Sequence, residues 1–317
     1  MLAESLSVVV PVYNSEGSLP ILLQRLSALL PTVARQFEVI LVNDASSDGS
    51  GAVVDQASRE HGWVVGIHLM RNFGQHNALL SGIRDAQFET IVTMDDDLQN
   101  PPEEIPRLLT KLAEGFDVVY GFPERESHGF WRDLASRITK LTLKTAMGVD
   151  VASRVSSFRA FRSEVRAAFA GYSGAFVSID VLLSWGTARF AAIPVKNPPR
   201  TIGTSNYTVR KLIRHAVNMV TGFSVVPLQV ASLLGFFFAF FGFCLLLYVL
   251  ARYFIDGDPV VGFPFLASAL SIFSGVQLFS LGIIGEYLAR MHFRLLDRPS
   301  YAIRSTSRRT QYMNHGS

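Results

Sequence analysis

Two periodicities alternate along the first two hundred residues. Short apolar runs rich in Val and Ile lie at residues 7–12, 38–42, 64–69 and 90–94, and between them apolar residues recur every three or four positions at 19–30, near 51–61 and near 77–86. Runs of the first kind read as strands buried on both faces, and segments of the second kind as amphipathic helices. Their alternation predicts an α/β fold over residues 1–200, a mostly parallel sheet flanked by helices. Ligands of such sheets bind beyond the carboxyl ends of the strands, so chemistry is expected in the loops that follow the apolar runs.

After residue 200 the pattern changes. Residues 227–251 and 260–285 contain no Asp, Glu, Lys or Arg, and each exceeds the ~20 residues that span a bilayer. Two transmembrane helices are predicted within 227–290, joined by a short link at 252–259 whose Asp256-Gly257-Asp258-Pro259 is turn chemistry, which makes them an antiparallel hairpin. Lys211 and Arg214 precede the hairpin, and Arg290, Arg294, Arg298, Arg304, Arg308 and Arg309 follow it, against a single Arg252 in the link. That asymmetry predicts an integral inner-membrane protein with its N-terminal domain and both termini in the cytoplasm. The tail at 291–317 is basic, and from Ser305 its polar composition predicts no fixed structure.

Two further stretches are amphipathic. Trp131, Leu134, Ile138 and Leu141 recur at helical spacing among Arg132, Lys140 and Lys144, so residues 130–146 are expected to lie in the membrane interface. Residues 207–219, within a juxtamembrane segment at 201–226, repeat the pattern.

Composition agrees with a partly lipid-embedded chain, since 49% of the 317 residues are hydrophobic and 17% charged, with a mean hydropathy of +0.28. The start of the chain lacks the basic region of a cleavable signal peptide, and its first apolar run ends in Pro-Val-Tyr-Asn. Cys244 is the single cysteine, which excludes an internal disulfide or a cysteine metal site. The net charge of +3 gives no argument for nucleic acid, because the Arg residues cluster beside the membrane segments. Glycine-rich motifs of the dinucleotide or P-loop kind are absent, so neither hydride transfer nor ATP hydrolysis is indicated.

The sharpest chemical signal is Thr93-Met94-Asp95-Asp96-Asp97-Leu98-Gln99, directly behind an apolar run. Three adjacent carboxylates repel one another, and a divalent cation with hard oxygen ligands relieves that repulsion. The competing reading is a helix N-cap, in which Asp97 or Asn100 caps a helix begun by Pro101-Pro102-Glu103-Glu104. Capping needs one Asp rather than three. Two other polar loops end strands on the same predicted edge: Pro11-Val-Tyr-Asn14, and Asn43-Asp44-Ala-Ser-Ser-Asp48-Gly49, where Asp48-Gly49 reads as turn chemistry.

These motifs, with Asn72-Phe-Gly-Gln-His-Asn-Ala78, Met94-Asp-Asp-Asp-Leu-Gln-Asn-Pro-Pro102 and the apolar hairpin, resemble the family 2 GT-A glycosyltransferases. Within that family they are similar to the polyprenyl-phosphate group of dolichyl-phosphate mannose synthase and bacterial undecaprenyl-phosphate sugar transferases. The resemblance implies a GT-A fold and a nucleotide-sugar donor, with a UDP-sugar favoured. It also implies a polyprenyl phosphate acceptor, membrane attachment, Mg²⁺ or Mn²⁺, and a homo-oligomer as in many members. By it, Pro11, Tyr13, Val42 and Asp44 hold the nucleoside, although Tyr13 also reads as a packed aromatic. Asp95, Asp97 and Gln99 match the positions that bind metal and diphosphate, with Asp96 contributing backbone contacts.

A lipid phosphate monoester, with a second pKa near ~6, is already a dianionic nucleophile at neutral pH and needs no general base. It needs cationic positioning, and the resemblance assigns this first to Arg137 and then to Arg125. Together with Asp97 they form the expected catalytic set. The implied reaction is an inverting transfer of one sugar that supplies a lipid-linked sugar for cell-envelope glycans. A processive polysaccharide synthase ranks lower, because Gln-x-x-Arg-Trp is absent and only two spans are present. A non-catalytic scaffold is the reading from another class.

Several positions depart from the family pattern. Ser15 stands where relatives carry Glu, and Asn206 where they carry Lys before the membrane, while Arg200 keeps its place for phosphate contact. Residues 153–157 lack the usual Asp and Gly before Phe158-Arg159. These changes lead us to expect an uncommon donor sugar and little turnover with UDP-glucose or GDP-mannose. His76, at the start of a predicted helix, reads as a capping or packing residue rather than a catalyst.

Overall fold

The computed structural model describes residues 2–123, 154–174, 177–196, 226–256, 262–296 and 298–307. The chain forms two compact units, Met1–Ile213 with Arg298–Ser317, and Arg214–Asp297.

The first unit runs β1 (Ala3–Val12), α1 (Leu19–Val33), β2 (Ala34–Asn43), α2 (Ser50–Glu60), β3 (Val64–Leu69), α3 (Gln75–Asp85) and β4 (Thr90–Thr93). A 3-10 turn at Pro102–Glu104 leads into α4 (Ile105–Ala113), followed by β5 (Val118–Pro123), β6 (Arg159–Arg162), α5 (Ile179–Gly186), β7 (Phe190–Val195) and, after the second unit, β8 (Ile303–Thr306). The apolar runs form strands because both of their faces are covered; in β1 every residue from Ser5 to Val12 is buried. The helices bury one stripe each, as in α4, where Ile105, Leu108, Leu109 and Leu112 face the core.

The strands join in one sheet of order β7-β5-β6-β4-β1-β2-β3-β8. β1 lies parallel to β2 and β4, β2 parallel to β3, and β5 parallel to β7. β6 runs antiparallel between β4 and β5, and β8 antiparallel on β3. Val12 opposes Asn43, Val9 opposes Thr93, and Thr93 opposes Arg159. One edge of the sheet therefore gathers the ends of β1, β2, β4 and β5 and the start of β6. At the other end, buried Glu38 accepts hydrogen bonds from the Ser7 hydroxyl and the Gln87 N–H, each at 2.7 Å, which pins the α3–β4 connection to the sheet.

The capping reading of the acidic cluster is corrected. The 3-10 turn is entered through Pro101 and has no side-chain cap, and α4, whose N-cap is Glu104, has none either. The tail differs as well. Ser305 and Thr306, expected to be unstructured, belong to β8, which covers the open edge of β3. Met70 N–H donates to Ala302 O at 2.9 Å, and Ser307 N–H donates to Gly66 O at 2.8 Å. All four β8 residues are exposed, so the strand carries no hydrophobic signature. The expected interfacial segment 130–146 and juxtamembrane segment 201–226 lie outside the described residues.

The second unit contains α6 (Val226–Asp256) and α7 (Phe263–Leu295), the latter extending ten residues beyond the expected end of the second span. Their candidate membrane spans, Val226–Leu245 and Ile272–His292, have hydropathies of 2.1 and 1.4 and are 6% and 0% buried, so protein does not cover their apolar surfaces. These surfaces mark a membrane-associated chain. The helices pack through small and aromatic residues, with Phe238 and Phe273 edge to face at 6.0 Å and Gly242 leaving room for the Phe273 ring.

Helix α3, whose first residue reaches the functional edge, approaches the sheet through Gly82. A Cβ there would lie 2.4 Å from Val9 Cγ1 and 3.0 Å from Val42 Cγ2. Alanine favours a helix interior by about 1 kcal/mol over glycine, but the clash costs about 1–3 kcal/mol. We expect Gly82→Ala to lower the denaturant midpoint of the first unit; an unchanged or raised midpoint would show that α3 can lift off without cost.

Candidate functional site

The polar loops at the sheet edge are joined by hydrogen bonds that begin at the strand ends. Asp44 N–H donates to Val12 O at 2.9 Å, and the buried Asp44 carboxylate accepts the N–H groups of Phe73 at 2.7 Å and Gly74 at 2.8 Å. Burial pushes the Asp44 carboxyl above its usual pKa, and the two backbone donors partly offset that. Gly74 has φ of 93°, which suits glycine and lets both N–H groups turn toward one carboxylate.

The β1 and β2 loops also hold each other. Asp48 accepts from Ser50 N–H at 3.0 Å, the Ser50 hydroxyl at 2.6 Å and Glu16 N–H at 3.2 Å, while Gly49 N–H donates to Glu16 at 2.9 Å. Asp48 and Gly49 thus serve as turn chemistry. Asn14 and Ala45 adopt positive φ here, 54° and 53°, and Leu98 does so at 63° in the acidic loop. Among the described residues, the three non-glycine residues in the left-handed region all lie on these loops, so backbone strain there is concentrated at one edge.

The three aspartates face different partners. Asp95 Oδ1 accepts from Gln75 Nε2 at 2.6 Å and its Oδ2 from the Ser157 hydroxyl at 2.5 Å. Asp96 Oδ2 accepts from Tyr13 N–H at 3.2 Å and from the Ser15 hydroxyl. Asp97 Oδ1 accepts from Gln99 N–H at 3.1 Å. The structure therefore brings Asp95, Asp96, Asp97 and Gln99 together with Tyr13, whose ring is largely exposed, and with Asp44 through the Phe73–Gln75 loop. Pro11 and Val42 oppose each other in the sheet, and Val42 packs its side chain on Gly82. Arg125, Arg137 and Arg200 lie outside the described residues. His76 accepts a bond from Ile179 N–H at 3.4 Å, a contact between helices.

Beneath the acidic loop sits a polar layer that sequence reasoning missed. Arg159, 1% exposed, is paired with Asp180, which also accepts from the Tyr120 hydroxyl at 3.1 Å. Arg159 Nε donates to Thr93 Oγ1 at 3.1 Å, and Thr93 Oγ1 donates to Ser157 O at 2.7 Å. Burial and the neighbouring Asp180 raise the pKa of Tyr120, so it stays a neutral donor. The signal was the Arg of Phe158-Arg159 placed directly after a serine pair, but the partner at Asp180 is not readable from spacing.

The donor set fits a hard divalent cation. Asp95 and Asp97 offer carboxylate oxygens, and among the described residues no three His, Cys, Asp or Glu side chains gather so as to hold a cation by themselves. Mg²⁺ binds through one or two carboxylates and completes its shell with substrate phosphates and water, and Mn²⁺ takes the same oxygen ligands.

Burial raises the Asp96 carboxyl to about 6, with the charges of Asp95 and Asp97 adding to the rise and the bonds from Ser15 and Tyr13 opposing it. The unfolded carboxyl ionises from about pH 4, so between the two values the folded state holds the extra proton and stability falls as pH rises. Without added cation, Asp96→Asn should melt at a higher temperature than the parent above pH 6 and converge with it near pH 4. A constant difference across that range would remove Asp96 as the titrating group.

The model of glycosyl transferase family 2 matches residues 7–168. An undecaprenyl-phosphate 4-deoxy-4-formamido-L-arabinose transferase of Pseudomonas paraeruginosa is 36% identical over 94% of this chain and 88% of its own length. A protein of the same name from Klebsiella pneumoniae is 35% identical over 97% and 95%. Among solved structures, glucosyl-3-phosphoglycerate synthase of Mycobacterium tuberculosis, in complex with Mn²⁺, UDP-glucose and phosphoglyceric acid, superposes with a TM-score of 0.51 at 19% identity, covering 69% of this chain and 78% of that one. That likeness is one of fold and makes the sheet and its helices GT-A-like. Matched along nearly all of its length, the chain belongs to glycosyl transferase family 2 and is a glycosyltransferase.

Proposed function

We propose that this glycosyltransferase moves a single sugar from a UDP-sugar to undecaprenyl phosphate at the cytoplasmic face of the membrane, with inversion at the anomeric carbon. One observation carries the reading: a carboxylate loop suited to a cation and diphosphate stands at the carboxyl edge of a GT-A-like sheet, in a chain that also carries two apolar helices. The relatives that match nearly the whole chain are named for an undecaprenyl phosphate acceptor. The UDP and Mn²⁺ or Mg²⁺ named in fold neighbours support the donor and cation.

In this reading the nucleoside lies along Pro11, Tyr13, Val42 and Asp44. Asp95, Asp97 and Gln99 hold Mg²⁺ or Mn²⁺, which when bound neutralises charge on the departing nucleoside diphosphate. Arg137, then Arg125, orients the lipid phosphate, and Arg200 contacts donor phosphate through its guanidinium fork. An oxygen of the lipid phosphate forms the new bond to the anomeric carbon. The bond from that carbon to the diphosphate breaks, and its electron pair leaves with the diphosphate. An α-linked donor gives a β-phosphodiester. The dianionic acceptor supplies its own nucleophile, so no side chain has to take a proton.

The donor of first interest is the UDP-activated 4-deoxy-4-formamido-L-arabinose, the sugar in the relatives' name. Full-length protein incubated with Mn²⁺, undecaprenyl phosphate and a panel of UDP-, GDP- and dTDP-sugars should give a monoglycosyl phospholipid by mass spectrometry, with little product from UDP-glucose or GDP-mannose. Chelation should stop the reaction and Mn²⁺ restore it, and Asp97→Asn should cut the rate about a hundredfold or more while the protein stays folded. Undiminished turnover by Asp97→Asn would place the cation elsewhere.

A further inference from the structure

We infer that Gln75 and Ser157 are positioning residues that hold the Asp95 carboxylate in the orientation a cation requires. The inference rests on the reading of Asp95 as a cation ligand.

The carboxylate is gripped from two sides by neutral donors. Gln75 Nε2 donates to Oδ1 at 2.6 Å, and the Ser157 hydroxyl donates to Oδ2 at 2.5 Å. The terminal torsion of an Asp side chain is broad and roughly two-fold, so an ungripped carboxylate samples many directions. One donor on each oxygen fixes that torsion. A carboxylate oxygen can accept more than one bond, so these two bonds do not by themselves exhaust its acceptor capacity. Because neither donor is charged, neither competes electrostatically with that cation.

Both donors are themselves anchored. Gln75 follows Phe73 and Gly74, whose N–H groups donate to Asp44 at 2.7 and 2.8 Å, so the residue reaching toward the cation side is fixed from the nucleoside side. Ser157 precedes β6, and its carbonyl accepts from Thr93 Oγ1 at 2.7 Å, which in turn is held by the buried Arg159. The grip thus joins α3 to the segment before β6, two parts of the chain with β4, α4 and β5 between them.

Partners that orient metal ligands change affinity about 10–100-fold when removed. Gln75 is exposed and Ser157 half-buried, so their loss should leave global stability unchanged. The test titrates full-length protein in detergent with Mn²⁺ in the presence of UDP, following free Mn²⁺ by electron paramagnetic resonance. Asp95→Asn serves as the control for the ligand itself, and thermal melting is measured on every variant. Gln75→Ala and Ser157→Ala should each weaken Mn²⁺ binding about tenfold or more with unchanged melting, and Ser157→Thr, which keeps the hydroxyl, should retain the parent affinity. If the parent binds Mn²⁺, Asp95→Asn loses it, and both alanine variants bind as the parent does, the positioning role is overturned and the ligand reading stands. If the parent binds no Mn²⁺, or Asp95→Asn binds it unchanged, the ligand reading fails and the positioning role fails with it.

Discussion

Mutual repulsion among three consecutive carboxylates is the constraint around which this site is arranged. Asp95, Asp96 and Asp97 share one loop, and the fold manages their charge by turning each to a different set of donors: a helix start and a serine ahead of the adjacent strand β6, the β1 loop, and the loop's own backbone. The parallel pairing of β1 with β4 places the β1 loop beside Asp96, and the antiparallel pairing of β6 on β4 places Ser157 beside Asp95. A one-residue slip of any of these strands would send its alternate side chains to the opposite face and dismantle the edge.

The layer underneath answers a different need. A buried Arg–Asp pair is poor evidence of stability, because desolvating two charges costs about as much as their attraction returns. What Arg159 and Asp180 supply is direction. Arg159 reaches Thr93 at the end of β4 and Asp180 at the start of α5, so two elements that border the acidic loop share one rigid ion pair. Tyr120 from β5 completes the layer as a neutral donor.

Much of this was legible in the sequence because both signals used, periodicity and loop chemistry, are local. β3 falls on its expected residues, and β1, β2, β4 and α1 to α3 overlap theirs, since continuous Val and Ile runs belong to strands covered on both faces. The convergence of the Asp44 and Asp95 loops followed from the parallel arrangement alone. The rest depended on partners distant in sequence. β6 is four residues long and β8 is wholly exposed, so neither shows a hydrophobic pattern; β6 is held by its pairing with β4 and β5, and β8 by the edge of β3 that it covers. The roles of Gln75, Ser157 and Asp180 are properties of pairs, which no single residue displays. The capping alternative failed for a local reason: Pro101 brings the backbone in so that no side chain caps the turn that follows.

The last strand of the sheet has a consequence for the order in which the chain is made. β8 is encoded after both apolar helices, and its contact between Gly66 and Ser307 spans 241 residues. During synthesis the β3 edge must stay open until the hairpin has left the ribosome, so the soluble half cannot reach its final hydrogen-bond pattern ahead of the lipid-seeking half. Closing so long a loop adds little entropy beyond a loop half its length, but it is slow. Completion of the sheet thereby reports that the chain has been delivered past both apolar helices.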